Sequence, residues 1–87
     1  MSEVTLMNKK EELLVILMEE CSEVIQEASK LIRFNDTDPV RIEKEIGDLL
    51  CMIELMCQKK IIDSSVFTQH MDAKRHKLKQ WSNLHIK

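Results

Sequence analysis

Helix-breaking residues are almost absent from this chain of 87 residues, which contains one glycine, Gly47, and one proline, Pro39. A sheet of several short strands needs many more turn-forming residues than that, because its turns depend on glycine and proline. Apolar residues make up 44% of the sequence, which is too many for a disordered polymer. The sequence therefore predicts an all-α protein.

Three stretches show helical periodicity and are separated by turn-forming residues. The predicted helices cover about 8–34, 39–60 and 66–81. Asn8 and Glu11 have the spacing of a capping box at the start of the first helix. Asp38 and Pro39 are a favourable N-cap and first residue for the second helix. We expect residues 1–7 to form a lead-in or an extra turn.

The length of the chain predicts a single domain over residues 1–87, with its core at about 8–81. A domain of this size buries only about 60–65% of the surface that its unfolded chain exposes. Association with further chains is a common way to bury more. We therefore expect a three-helix protomer in a dimer or tetramer with four-helix-bundle packing.

Charge and hydropathy indicate the surroundings of the protein. The net charge of -2 argues against a nucleic-acid partner. Residues 1–60 carry thirteen acids and eight bases, whereas residues 61–87 carry two acids and five bases. We see neither a signal-like start nor an apolar run of about 18 residues, so we expect a cytoplasmic protein without a membrane partner.

The three cysteines are odd in number, lie within apolar runs and form no CxxC motif. They are Cys21, Cys51 and Cys57. This pattern disfavours both a disulfide framework and a zinc site, so we expect buried thiols in the core.

Carboxylates interrupt the apolar faces of the first two predicted helices. On a helical wheel Glu20 lies within about 20° of Leu13, and Glu23 lies at the edge of the same apolar arc. Glu45 and Asp48 lie among the apolar residues of the second helix. Each pair has i,i+3 spacing, which places its two carboxylates on one face. Four inward carboxylates without a cation would repel one another strongly, and a bound metal is the simplest remedy. An all-oxygen ligand set favours Mg²⁺ or Mn²⁺.

Two structural interpretations of these acids stay open. An ExxE spacing occurs by chance in any glutamate-rich helix. Glu20 can also form a structural ion pair with Arg41, which lies near Asp48 on its own helix.

The third predicted helix carries basic residues beside its apolar stripe. Lys74 occupies the stripe position between Met71 and Leu78, and Lys77 adjoins it. One interpretation is that Lys74 extends along the bundle surface with its charge in water. The other is that Lys74 and Lys77, with Arg75 less well placed, bind an anionic ligand that the metal also holds.

The order and spacing of the acids resemble a known family. The segments EECSE at 19–23 and EIGD at 45–48 resemble the EExxE…ExxD signature of MazG-like nucleotide pyrophosphohydrolases, in the all-α NTP pyrophosphatase superfamily. The similarity covers about residues 8–81, and the basic segment 74–81 is similar to the third helix of small members. The resemblance implies an all-α fold and Mg²⁺-dependent hydrolysis of a nucleoside triphosphate to monophosphate and pyrophosphate.

The resemblance also implies roles for individual residues. The implied metal ligands are Glu20, Glu23, Glu45 and Asp48, and we expect Glu20 or Glu23 to act also as the catalytic base. The implied phosphate-binding residues are Lys74, Lys77 and Arg75. From its position in the connection alone, Asn35 is expected to contact the sugar or the base. Two alternatives stay open: a phosphoribosyl-ATP pyrophosphohydrolase and a helical interaction module without catalysis.

Overall fold

The computed structural model describes residues 8–87, and these residues form three helices. The helices are α1 (Lys9–Arg33), α2 (Val40–Gln58) and α3 (Ser64–Trp81). The predicted all-α class and the three helices are confirmed, with boundaries within about two residues of those expected. The expected lead-in over 1–7 lies outside the described residues. None of the described helices has the length and apolar character needed to cross a membrane.

The start of α1 is fixed by a capping box. The backbone N–H of Glu11 donates to Oδ1 of Asn8 at 2.8 Å, and the backbone N–H of Asn8 donates to Oε1 of Glu11 at 3.1 Å. These two hydrogen bonds provide acceptors for backbone N–H groups that have no partner within the helix. The predicted capping box is confirmed.

The start of α2 lies one residue later than predicted. Pro39 is the N-cap and not the first helical residue. The carboxylate of Asp38 accepts the backbone N–H of Val40 at 3.1 Å, and Asp36 accepts the backbone N–H of Asp38 at 3.0 Å. These local bonds form tight turns that extend the connection through Pro39.

The start of α3 lies two residues earlier than predicted, because Asp63 caps it. The Asp63 carboxylate accepts the backbone N–H of Ser65 at 2.8 Å and the Ser65 hydroxyl at 2.6 Å. Bonds to the ionised carboxylate lower the pKa of Asp63.

The helices α1 and α2 end in the same backbone arrangement. At the end of α2 the backbone N–H of Lys60 donates to the carbonyl of Cys57 at 3.0 Å, and that of Ile61 donates to the carbonyl of Met56 at 2.9 Å. The residue after each C-cap is left-handed: φ is 50° at Asn35 and 60° at Lys60. Asparagine tolerates this conformation, whereas lysine is strained in it.

The helices α1 and α2 pack against each other. A connection of only six residues, 34–39, joins them, so they form an antiparallel hairpin. The buried apolar side chains in the described part of the chain are those of Leu13, Met52 and Met56. The core of one chain is therefore a narrow strip between two helices.

The third helix is not covered by the rest of the chain. α3 makes at most marginal contact with α1 or α2, and none of its own residues is buried. Met71 is 53% exposed and Trp81 is 83% exposed. The radius of gyration is 16.5 Å, whereas a compact chain of this length has about 12 Å. A single chain thus leaves much of its apolar surface in water.

The prediction of buried cysteines is wrong for the single chain. Cys21 and Cys51 are exposed, and Cys57 is half-buried. The reason is the narrowness of the core, since two packed helices cover only one strip of each helix. Thiols on the other faces remain in contact with water.

We expect Lys60→Gly to stabilise the protein, because glycine adopts a left-handed conformation without steric strain. The expected gain in the free energy of unfolding is about 1 kcal/mol. Urea denaturation measures it, with Lys59→Gly as the control, because Lys59 has a negative φ of -89°. Equal stability of the two variants would contradict the proposed strain at Lys60.

Candidate active site

Three carboxylates from α1 and α2 meet where the two helices pack. Glu20 of α1 and Glu45 and Asp48 of α2 each offer one oxygen atom, and these atoms lie within 4.8 Å of one another. The i,i+3 spacing places Glu45 and Asp48 on one face of α2, and the packing of α1 brings Glu20 to that face. We call these three residues the acid cluster.

The acid cluster is partly sheltered from water. Glu20 is half-buried, the side chain of Glu45 is 12% exposed and that of Asp48 is 44% exposed. Glu23, the fourth predicted ligand, is exposed and does not belong to the cluster. Its role as a ligand stays a prediction.

Desolvation raises the pKa of Glu20 above its ordinary value. The negative charges of Asp48 and Glu45 raise it further, Glu23 has a smaller effect in the same direction, and Lys44 acts in the opposite direction. A carboxylate in such surroundings is stabilised by a proton or by a nearby cation. The acid cluster therefore favours a bound positive charge.

Lys44 is the residue at the acid cluster that the sequence patterns did not predict. Its Nζ lies 2.9 Å from Oδ2 of Asp48 and 3.0 Å from Oε1 of Glu45. Hydrogen bonds to these two carboxylates raise the pKa of Lys44. The i,i+4 spacing of Lys44 and Asp48 was the sequence signal that could have revealed it.

The alternative structural ion pair between Glu20 and Arg41 does not form within residues 8–87. Arg41 lies instead at a separate small cavity of about 40 Å³ beside the connection of α1 and α2. Glu27 and Lys30 also line this cavity and form an ion pair of 3.3 Å.

The predicted phosphate-binding residues lie on α3 and are exposed. Lys74 and Arg75 line a shallow groove on α3 with Phe67, Leu78 and Ile86. Arg75 also lies 3.6 Å from Asp72 of the same helix.

No ion pair joins Lys74, Arg75 or Lys77 to the acid cluster in the part of the chain that the structure describes. One chain therefore does not bring these basic side chains into contact with the acids. Their role in phosphate binding stays a prediction.

Asn35 lies in the connection after α1, where its left-handed conformation gives it a structural role. Its backbone N–H donates to the carbonyl of Ile32 at 3.3 Å. The predicted contact with a sugar or a base stays a prediction.

The acid cluster and nearly all of the three helices lie within a region that matches a family model. Residues 8–80 match the model of the MazG nucleotide pyrophosphohydrolase domain. The chain belongs to the MazG family. No curated protein and no solved structure matches the chain significantly. The match begins at the N-cap of α1 and ends in the last turn of α3, so the resemblance found in the acid motifs is confirmed.

The acid cluster of this MazG domain has the chemistry of a divalent-metal site. MazG-type enzymes generally use divalent metals. The cluster contains carboxylates and neither histidine nor cysteine. Hard oxygen donors of this kind suit Mg²⁺ or Mn²⁺ better than zinc.

We expect Mg²⁺ or Mn²⁺ to raise the melting temperature of the MazG domain, because a ligand that binds the folded state stabilises it. Glu20→Gln and Asp48→Asn should abolish the shift. Glu19→Gln is the matched control, since Glu19 is exposed and lies outside the acid cluster. A shift that survives both cluster substitutions would favour a purely structural role for the acids.

Proposed function

We propose that this MazG domain is a Mg²⁺-dependent nucleoside triphosphate pyrophosphohydrolase, with Mn²⁺ as a possible substitute. It would convert an NTP or a dNTP to the monophosphate and pyrophosphate. The observation that carries this proposal is the acid cluster, in which two helices of a MazG-family chain bring three carboxylate oxygens within 4.8 Å.

Glu20, Glu45 and Asp48 are the proposed metal ligands. Glu23 lies three residues after Glu20 on α1 and is proposed as a fourth ligand. A divalent cation held by these residues would neutralise the phosphate oxygens, activate the attacking water and stabilise the leaving pyrophosphate. The protein contributes the fixed positions of the carboxylates.

Glu20 is also the better supported candidate for the catalytic base. Its raised pKa suits a carboxylate that accepts a proton from the attacking water. The water oxygen forms a bond to phosphorus, the phosphoanhydride bond breaks, and the proton passes to Glu20. Glu23 is the alternative base, although its side chain is more exposed to water than that of Glu20.

The basic residues of α3 are proposed to bind the substrate phosphates from a second copy of the chain. α3 barely contacts α1 and α2 of its own chain, so its apolar face is left to be buried by another molecule. The basic segment 61–87 and the acidic segment 1–60 have complementary charges. We therefore propose a homodimer or tetramer with four-helix-bundle packing, in which Lys74 and Lys77 complete the site and Arg75 assists.

The ion pairs of Lys44 favour one alternative function, a helical interaction module. In that case Lys44 would neutralise Glu45 and Asp48 permanently, and the acids would need no metal. The exposed apolar face of α3 would then serve only to bind a partner.

We expect metal-dependent release of pyrophosphate from at least one member of a panel of NTPs and dNTPs. Glu20→Gln and Asp48→Asn should reduce turnover by at least about a hundredfold, because they remove a ligand or a base. Glu19→Gln should leave turnover unchanged. Absence of turnover with every nucleotide, including phosphoribosyl-ATP, would favour the interaction module.

Lys74→Ala should weaken substrate binding by about tenfold, as expected when a charged hydrogen bond to phosphate is lost. Metal binding, measured by titration calorimetry, should stay unchanged. Lys79→Ala on the same helix is the control. Equal loss of metal and substrate binding would contradict a phosphate-binding role.

The same variant tests whether Lys74 acts on the partner chain. At substrate concentrations well below KM, co-refolded Lys74→Ala and Glu20→Gln chains should recover about one quarter of wild-type activity in a dimer, since half of the dimers are mixed and each of these has one intact site out of two. Activity equal to the average of the two parent variants would show that Lys74 acts within its own chain.

A further inference from the structure

The ammonium of Lys44 lies against two of the three proposed metal ligands. Its Nζ is 3.0 Å from Oε1 of Glu45 and 2.9 Å from Oδ2 of Asp48. We propose that Lys44 is a built-in counter-ion that neutralises the metal-free site and is displaced when a divalent cation binds. This inference rests on the proposed function, because it assumes that the acid cluster holds a metal.

The lysine and the metal compete for the same carboxylates. A divalent cation in the acid cluster would bind the carboxylates of Glu45 and Asp48, the same two groups that accept hydrogen bonds from Lys44. Two cations a few ångströms apart in a partly desolvated site also repel each other strongly. Binding of the metal therefore requires Lys44 to leave the carboxylates.

The surroundings of Lys44 allow it to leave easily. Its side chain is 70% exposed, whereas that of Glu45 is only 12% exposed. Both of its partners lie on its own helix, at i+1 and i+4, so its departure breaks no ion pair between α1 and α2. A lysine ammonium is strongly hydrated and sits on a flexible stem, so water can replace its partners.

Other basic side chains do not share this position in the described part of the chain. Lys30 forms an ion pair with Glu27, and Arg75 forms one with Asp72. Lys44 is therefore the basic residue that the structure places on the acid cluster. Without it, Glu20, Glu45 and Asp48 would repel one another whenever no metal is bound.

The first test measures Mn²⁺ binding by titration calorimetry with Lys44→Met, which removes the charge and keeps the length of the side chain. We expect binding to tighten about threefold to tenfold, which lies within the range for one or two competing exposed ion pairs. Lys44→Arg keeps the ion pairs and should bind no more tightly than the wild type.

Lys10→Met is the matched control for the change in net charge. Lys10 is exposed on α1 and lies ten residues, or about 15 Å along the helix, from Glu20. Its substitution should change Mn²⁺ affinity much less than Lys44→Met does. Equal effects of the two substitutions, or weaker binding by Lys44→Met, would overturn the proposal.

The second test measures melting temperatures with and without Mg²⁺. Lys44→Met should melt below the wild type in the absence of metal, because the acids then lack a counter-ion. The difference should shrink at saturating Mg²⁺, which provides the missing charge in both proteins. For Lys10→Met any difference should be independent of Mg²⁺. If Mg²⁺ does not change the difference in melting temperature between Lys44→Met and the wild type, the proposal is also overturned.

These experiments separate the inference from the proposed function. If Lys44→Met changes the Mn²⁺ affinity but no nucleotide is hydrolysed, the proposed enzymatic function is refuted and the counter-ion role of Lys44 is supported. If nucleotides are hydrolysed but Lys44→Met leaves the Mn²⁺ affinity unchanged, only the counter-ion role of Lys44 is refuted. Absence of Mn²⁺ binding by the wild type would refute both.

Discussion

Electrostatic repulsion at the contact of α1 and α2 is the constraint on which the rest of the structure depends. The packing that buries Leu13, Met52 and Met56 also brings Glu20 near the acids of α2. Like charges repel in a partly desolvated site, so this packing needs a positive charge at the same place. Lys44 provides one in the structure, and a divalent cation provides a stronger one in the proposed enzyme. The caps and the short connection keep the two helices in this arrangement.

The incomplete burial of α3 has a related cause. Two helices enclose one strip of apolar side chains, and a third helix that lies apart from them adds almost no core. A small domain buries enough apolar surface only when its exposed apolar side chains are covered. In this chain these side chains include Met71 and Trp81. The proposed second copy would cover α3 and supply basic groups to the acid cluster, so stability and activity would share one interface.

Much of the fold and part of the site could be predicted from the sequence. The helices were predictable because glycine and proline are rare and the apolar residues recur with helical spacing. Glu20, Glu45 and Asp48 were predictable because each acid interrupts an apolar face. The periodicity of the apolar residues shows which face of a helix turns inward, but not how much of that face the neighbouring helix covers. Cys21 was therefore expected to be buried, whereas it is exposed. Lys44 was missed because i,i+4 pairs of lysine and acid are common on exposed helix faces, so the spacing alone does not distinguish it from other surface lysines.

The short connection between α1 and α2 has a consequence for the order of events during folding. The two helices meet through closure of a six-residue loop, which costs little chain entropy and is fast compared with pairing of distant segments. The three carboxylates therefore come together in an early, unimolecular step that is independent of protein concentration. Anything that a second chain adds arrives later, at a rate that rises with concentration. A newly made chain at high dilution thus possesses the acid cluster before it meets another copy.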